Sequence, residues 1–209
     1  GAVARFSGGF ELLTAGEVVA TTKSTAELAT VTEWDLQRPH HHLRTDWAAQ
    51  QTAYYAADLV NHLIGDEDPH PQVYKAMSRL LVAIESPTRR PGELLLFQWR
   101  LLEDAGYRPD LDRDARAGGD LPEKADLIFD PRAGGLSVAE GGWAGDSSTS
   151  GPWRVRAETV DQLKQVRSGE APAGDAEAID RANRLLCVYV RAILDRELMT
   201  MRWLLGEEG

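Results

Sequence analysis

The sequence predicts an α+β fold, mostly α, on three observations. Apolar residues recur at helical spacing through most of 45–105 and 157–205, β-branched residues cluster before residue 38, and 107–152 is glycine-rich with one pair of strand-like segments. The chain has 209 residues, 43% of them hydrophobic and 27% charged, which is ordinary globular usage and enough to bury a core.

Taken in order, Val18, Val19, Thr21 and Thr22 and then Leu28 to Thr32, separated by a polar break, read as two strands. Two strands do not make a stable domain, and the chain opens on a glycine, so further strands are expected ahead of it. His40, His41 and His42 follow Pro39 and read as a linker. Adjacent histidines point in different directions, and no Cys, Asp or Glu stands at ligand spacing with them. Asp46 is placed to cap a helix carrying Tyr55, Leu59 and Leu63, which Gly65 to Pro71 interrupts. Val73, Met77, Leu80, Leu81 and Ile84 share one face of a second helix, stopped by Pro87 to Pro91. A third helix, from about Gly92 to Ala105, is apolar nearly all round and should be the central buried one, with Gly106 as its C-terminal cap.

Leu127-Ile128-Phe129 and Leu136-Ser137-Val138 flank Asp130 to Gly135 as a hairpin with a long turn, and Gly141 to Gly151 reads as a loop. Helices are expected over Ala157–Arg167 and Asp175–Asp195, with a short end around Leu198 to Leu205. Cys187 lies beside the apolar stripe of the long helix and reads as a small core residue.

A single cysteine excludes an internal disulfide, a thiolate zinc site and a Cys-x-x-Cys redox pair, and it suits a reducing cytoplasm. No apolar run approaches the roughly 18 to 20 residues that span a bilayer. There is no phosphate-cradling Gly-rich loop, no Gly-x-Ser-x-Gly and no convincing pairing of nucleophile and base; a hydrolase using His62, Asp58 or the histidine run His40 to His42 is the least favoured reading. The residues alone therefore lead one to expect a mostly helical binding or scaffolding protein, with no enzymatic activity and no cofactor. A net charge of -10 argues against coating nucleic acid with the whole surface. Sixteen of the 23 basic residues, however, fall in 79–116 and 153–209, so a local basic face can form if the fold brings those segments together.

The third helix and its exit, Leu96-Phe97-Gln98-Trp99-Arg100-Leu101-Leu102-Glu103-Asp104-Ala105-Gly106-Tyr107-Arg108-Pro109-Asp110-Leu111, resemble the Phe-Glu-Leu-x-Leu-Leu-x-x-x-Gly-Tyr-x-Pro-x-Leu signature of the bacterial recombination mediator family RecO. Gly8 to Glu11, Ala29 to Asp35, the Tyr54-Tyr55 helix and the closing Asp195 to Leu204 resemble other parts of that family in order and spacing. The resemblance implies that 1–38 are the remnant of an N-terminal OB-fold domain and that 39–209 form the family's helical domain, with 107–152 in place of its zinc-binding insertion.

It also implies the partners: single-stranded DNA, the acidic Phe-ending tail of single-stranded DNA-binding protein (SSB), RecR and, indirectly, RecA, in the cytoplasm on the nucleoid. Arg5, Lys23, Arg184, Arg191, Arg196 and Arg202 are the expected DNA contacts. Arg89, Arg90, Trp99 and Arg100 are the expected edge of the SSB-tail pocket, because the family's arginine positions before the signature Phe are here Leu95 and Leu96. The family's four zinc thiolate positions fall on Asp114, Ala117, Val138 and Gly141, so no metal is expected and the hairpin should hold through packing alone. The alternative is an interaction module of the same fold with little DNA binding.

Overall fold

The computed structural model describes residues 6–22, 28–66, 68–122, 125–139 and 151–206. Arg5, Lys23, Gly141 and the expected loop as far as residue 150 lie outside them. The chain forms two compact units, Gly1–Asp46 and Trp47–Gly209. As predicted, it mixes helix and strand and is mostly helical.

In the first unit, β3 (Thr30–Arg38) is the middle strand of three, with β1 (Phe6–Ser7) parallel on one side and β2 (Ala15–Thr21) antiparallel on the other. Trp34 is buried at its centre and Phe10 stacks on it, ring centroids 4.5 Å apart. Gly16 is required where β2 passes this ring, since a Cβ there would sit 2.4 Å from the Asp35 carbonyl oxygen. β3 runs past the expected end at Thr32 because its register with β2 continues to Arg38 opposite Ala15. The histidine run is more ordered than a linker. His40 turns the chain with φ 45°, and His41–Arg44 make a short 3₁₀ turn in which the His40 and His42 rings meet edge to face at 5.8 Å.

The second unit is built on α1 (Trp47–Leu63), α2 (Pro71–Ala83), α3 (Arg90–Asp104), α4 (Ala157–Arg167), α5 (Ala176–Leu194) and α6 (Arg202–Leu205). α3 packs against α1, α2, α4 and α5, and buries residues on every side, Leu95, Leu101 and Leu102 completely. It starts two residues earlier than periodicity predicts, because Pro91 suits a helix's first turn and so does not break it. Gly106, at φ 81°, ends it. The Tyr107 N–H donates to the Leu102 carbonyl (2.7 Å) and the Gly106 N–H to that of Glu103 (3.2 Å), which satisfies two orphan acceptors. At the other end, Gly92 lets the loop before α5 lie directly on α3; a Cβ there would come within 2.0 Å of the Pro172 carbonyl oxygen.

A chain of hydrogen bonds runs through this core. The Tyr55 hydroxyl donates to Gln98 Oε1 (2.9 Å), Gln98 Nε2 to Asn183 Oδ1 (2.7 Å), and Asn183 Nδ2 to the carbonyls of Pro91 (2.9 Å) and Ile179 (3.1 Å). It ties α1, α3 and α5 together, with the Gln98 and Asn183 amides each bonded through both oxygen and nitrogen, which keeps the cost of burying them low. Asp175 caps α5 by accepting from the N–H groups of Glu177 and Ala178. Cys187 is buried as expected, and burial pushes its thiol up to about 11.

The hairpin forms where the sequence predicts it, as β4 (Leu127–Asp130) and β5 (Gly135–Val138). A third strand, β6 (Trp153–Val155), pairs antiparallel with the other edge of β4 and was not anticipated. Phe129 sits between the rings of Trp153 (5.4 Å) and Tyr189 (5.3 Å), which seats this small sheet on α5.

Candidate functional site

Several clefts of the helical unit are lined by basic residues; one holds Arg108, Arg113 and Arg167 beside Asp110 and Asp112, and two others combine cations with a larger apolar lining. The first of these two, of about 500 Å³, lies between α2 and α3 and is lined by Lys75, Arg79, Leu96, Phe97, Arg100 and Glu103 among others. Buried Glu93 anchors its rim. Arg79 donates to both Glu93 oxygens (2.8 and 3.2 Å) and Arg89 to one (2.9 Å). Burial pushes the Glu93 carboxyl up, but the two guanidinium groups outweigh it and hold it below the usual range. Arg100 pairs with Glu103 at 2.6 Å. The cations of this cleft thus sit among carboxylates, over an apolar lining.

The expected SSB-tail residues are only partly brought together here. Arg100 lines the cleft, and Arg89 lines its continuation along 169–173 together with Arg79. Arg90 does not take part: its Nε and Nη2 donate to the Ile84 carbonyl (3.1 and 3.0 Å), closing the turn between α2 and α3. Trp99 is fully buried, so it belongs to the core and cannot edge a surface pocket. Lys75 and Arg79 were missed, since on α2 they read only as polar-face residues.

The second cleft, of about 360 Å³, lies between β6, the start of α4 and α5. Its lining holds four arginines, Arg154, Arg156, Arg181 and Arg184, with Trp153, Val155, Leu185 and Val188, and no carboxylate. Arg184 is the one expected DNA contact in it. The other three could have been found from the alternating Trp153-Arg154-Val155-Arg156 and from the spacing of Arg181 and Arg184, which puts both on one helix face. Arg191 is placed differently from the expectation. Its side chain is only 11% exposed and pairs with Glu197 at 3.1 Å, so it braces the end of α5. Arg196 and Arg202 are exposed, beyond the lining of this cleft.

The zinc-equivalent positions meet in an unexpected way. Asp114 Oδ1 accepts from the N–H groups of Arg116 and Ala117 (both 2.9 Å), and its Oδ2 accepts from that of Val138 (2.9 Å). One carboxylate therefore joins three of the four positions at which the family resemblance leads one to expect thiolates. The Val138 and Ala117 amides draw its pKa down to about 2 against the opposing effect of burial. This corrects the expectation that packing alone holds the hairpin. Two more aspartates fold the adjoining turns: Asp110 accepts from the N–H groups of Asp112 and Arg113, and Asp130 from those of Arg132 and Ala133 while also binding Arg116 Nε at 2.6 Å. Among the described residues no group of three His, Cys, Asp or Glu is arranged to hold a metal ion. Asp58 accepts from the Thr200 hydroxyl (2.6 Å) and lies 3.2 Å from His62, an ordinary pair one helical turn apart. No helix among the described residues is long and apolar enough to cross a membrane.

Residues 44–202 match the family model described as Recombination protein O C terminal. The chain is 27% identical over 208 residues to the DNA repair protein RecO of Anaeromyxobacter sp. (strain Fw109-5), covering 96% of this chain and 78% of that protein. It is 26% identical over 199 residues to the DNA repair protein RecO of Myxococcus xanthus (strain DK1622), covering 94% and 78%. With that of Roseiflexus sp. (strain RS-1) it shares 30% identity over 169 residues, 78% of this chain and 57% of the relative. A family match spanning most of the helical unit, agreeing with relatives aligned nearly end to end on this chain, shows that the chain belongs to the RecO family of DNA repair proteins.

Proposed function

We propose that this chain is a recombination mediator. It binds single-stranded DNA and the acidic tail of SSB, anneals complementary strands and, with RecR, promotes loading of RecA. It works by binding, with no covalent step and no cofactor, in the cytoplasm on the nucleoid. In this reading the sheet of Phe6 to Arg38 belongs to an OB-fold domain, and 39–209 are the family's helical domain.

The observation that carries the proposal is the cleft walled by α3, the helix with the family signature. Leu96 and Phe97 give it an apolar lining, and Lys75, Arg79 and Arg100 set cations among the carboxylates of Glu93, Glu103 and Asp104. An acidic tail ending in an apolar residue needs both the lining and the cations. The ring gains from leaving water, and the tail's carboxylates can share guanidinium groups now held by Glu93 and Glu103. DNA binding draws on cationic residues exposed on the same unit, Arg184, Arg196 and Arg202, with Arg5 and Lys23 on the first unit.

The test is annealing of complementary oligonucleotides coated with SSB, at two salt concentrations. The expected result is acceleration at low salt that falls steeply as salt rises, because phosphate contacts release counterions. A folded chain that fails to anneal at either concentration refutes the mediator reading and leaves an interaction module with little DNA binding.

A further inference from the structure

We infer that the groove between β6 and α5 is a single-stranded DNA site, where Arg154, Arg156, Arg181 and Arg184 take backbone phosphates and Trp153 presents an apolar surface to a base. The inference rests on the DNA-binding reading and says where on this chain the strand lies.

Charge separates the two clefts. The one along α3 mixes Lys75, Arg79 and Arg100 with Glu93, Glu103 and Asp104, so its lining has no net charge to offer a polyanion. The groove has four guanidinium groups and no carboxylate in its lining, on a chain whose net charge is -10. Both walls contribute: Arg154 and Arg156 come from β6 and the residue after it, Arg181 and Arg184 from one face of α5. All four are arginines, whose planar fork matches phosphate oxygens two at a time.

Three of them have anionic neighbours, and those neighbours give way easily. Arg154 lies 3.8 Å from Asp126, Arg181 2.8 Å from Glu177 and Arg184 2.9 Å from Asp180, with carboxylate side chains 77%, 79% and 55% exposed. Ion pairs this open to water are weak, so a phosphate can take over the guanidinium groups of Arg154 and Arg184. Arg181, its side chain 24% exposed and its Nε donating to the Thr159 hydroxyl (3.3 Å), is held more firmly. Arg156 has no ion-pair partner among the described residues. Between the cations, Trp153, Val155, Leu185 and Val188 form an apolar strip suited to a base freed from its stack. An acidic peptide would use one or two of these cations; an open groove with cations on both walls suits a continuous chain of charges.

The experiment measures binding of a fluorescein-labelled oligo-dT to the full chain over a range of salt. It compares the parent with the Arg156→Glu, Arg184→Glu double variant and with an Arg113→Glu, Arg132→Glu control, whose exposed side chains lie outside the groove. Circular dichroism checks that each is folded, and Arg156→Lys with Arg184→Lys should keep the salt slope, since the charge stays, while binding less tightly than the parent because lysine lacks the planar fork. The groove variant is expected to bind about tenfold or more weakly than the control, with its salt slope smaller by about 1.4, roughly 0.7 for each phosphate that the two arginines no longer hold. Groove and control variants that bind alike, while the parent binds well, overturn the groove and leave DNA binding elsewhere on the chain. A parent that does not bind at all overturns the DNA-binding reading and the groove with it. If the groove variant keeps oligo-dT but loses an acidic, Phe-ending peptide, the groove is a peptide site and the inference falls.

Discussion

Helix α3 and the β4–β5–β6 sheet belong to one unit but resist unfolding by different means. α3 is buried on all sides, and its hold on α1, α2, α4 and α5 is spread over the area of many leucines and two aromatic rings. The sheet has strands of three and four residues, too short to bury comparable area, and the turns beside it are tied by the carboxylates of Asp110, Asp114 and Asp130 accepting main-chain N–H groups. Bulk packing is non-directional and tolerates small losses. Carboxylate staples concentrate the same task in a few oxygen atoms, so they depend on single residues and on pH.

The largest effect should come from the helical side. Trp99→Ala removes a fully buried indole and is expected to cost about 3–5 kcal/mol in urea unfolding of the whole unit. A change near zero would return Trp99 to the surface and dissolve the contrast. Asp114→Ala removes the acceptor of three N–H bonds and is expected to cost about 3 kcal/mol. The loss should be local, with hydrogen exchange at the Ala117 and Val138 amides accelerating while the amides of α3 stay protected. Acid tests the same staple. The folded Asp114 pKa, about 2, lies below the unfolded value near 3.9, so its contribution is complete above pH ~4 and disappears as pH falls toward 2. Exchange at Val138 should therefore accelerate over that window ahead of the helices.

Gly92→Ala places a methyl against the Pro172 carbonyl and should cost about 1–3 kcal/mol, less than Trp99→Ala because the loop can shift. The smallest effect runs with the opposite sign of pH. His70, just before α2, hydrogen-bonds Asp104 at the end of α3, and this bond, opposed by burial and helped by Asp68, raises the imidazole pKa. Its contribution is present below about pH 6.5 and is lost as pH rises through the folded value. An NMR titration of the His70 ring should give a midpoint above that of a free histidine, and Asp104→Asn should bring it down.

Periodicity exposed the helices well, because apolar area is what holds them: α4 falls on the residues expected, and the hairpin strands match in place. The same periodicity contained a conflict that the fold resolves. A helix apolar on all sides cannot also lend Trp99 to a surface pocket, and burial won. What stayed hidden depends on reach across the chain. Asp114 meets Val138 24 residues away, Arg90 folds back on Ile84, and the arginines of the groove come from segments some 25 residues apart. β6 is three residues long, below what alternation can distinguish from a loop. The family resemblance pointed to Asp114, Ala117 and Val138 as zinc-ligand positions, yet it carried no information on the carboxylate that joins them here.

The staple at Asp114 has a chemical consequence. A thiolate knuckle is dismantled by a chelator that strips its zinc or by a peroxide that oxidises its sulfur. A carboxylate bound to main-chain amides presents neither target. The one sulfur nucleophile in the chain, Cys187, is buried with its thiol held at about 11, and it stays protonated and unreactive. Zinc scarcity and oxidative stress therefore pass this insert by.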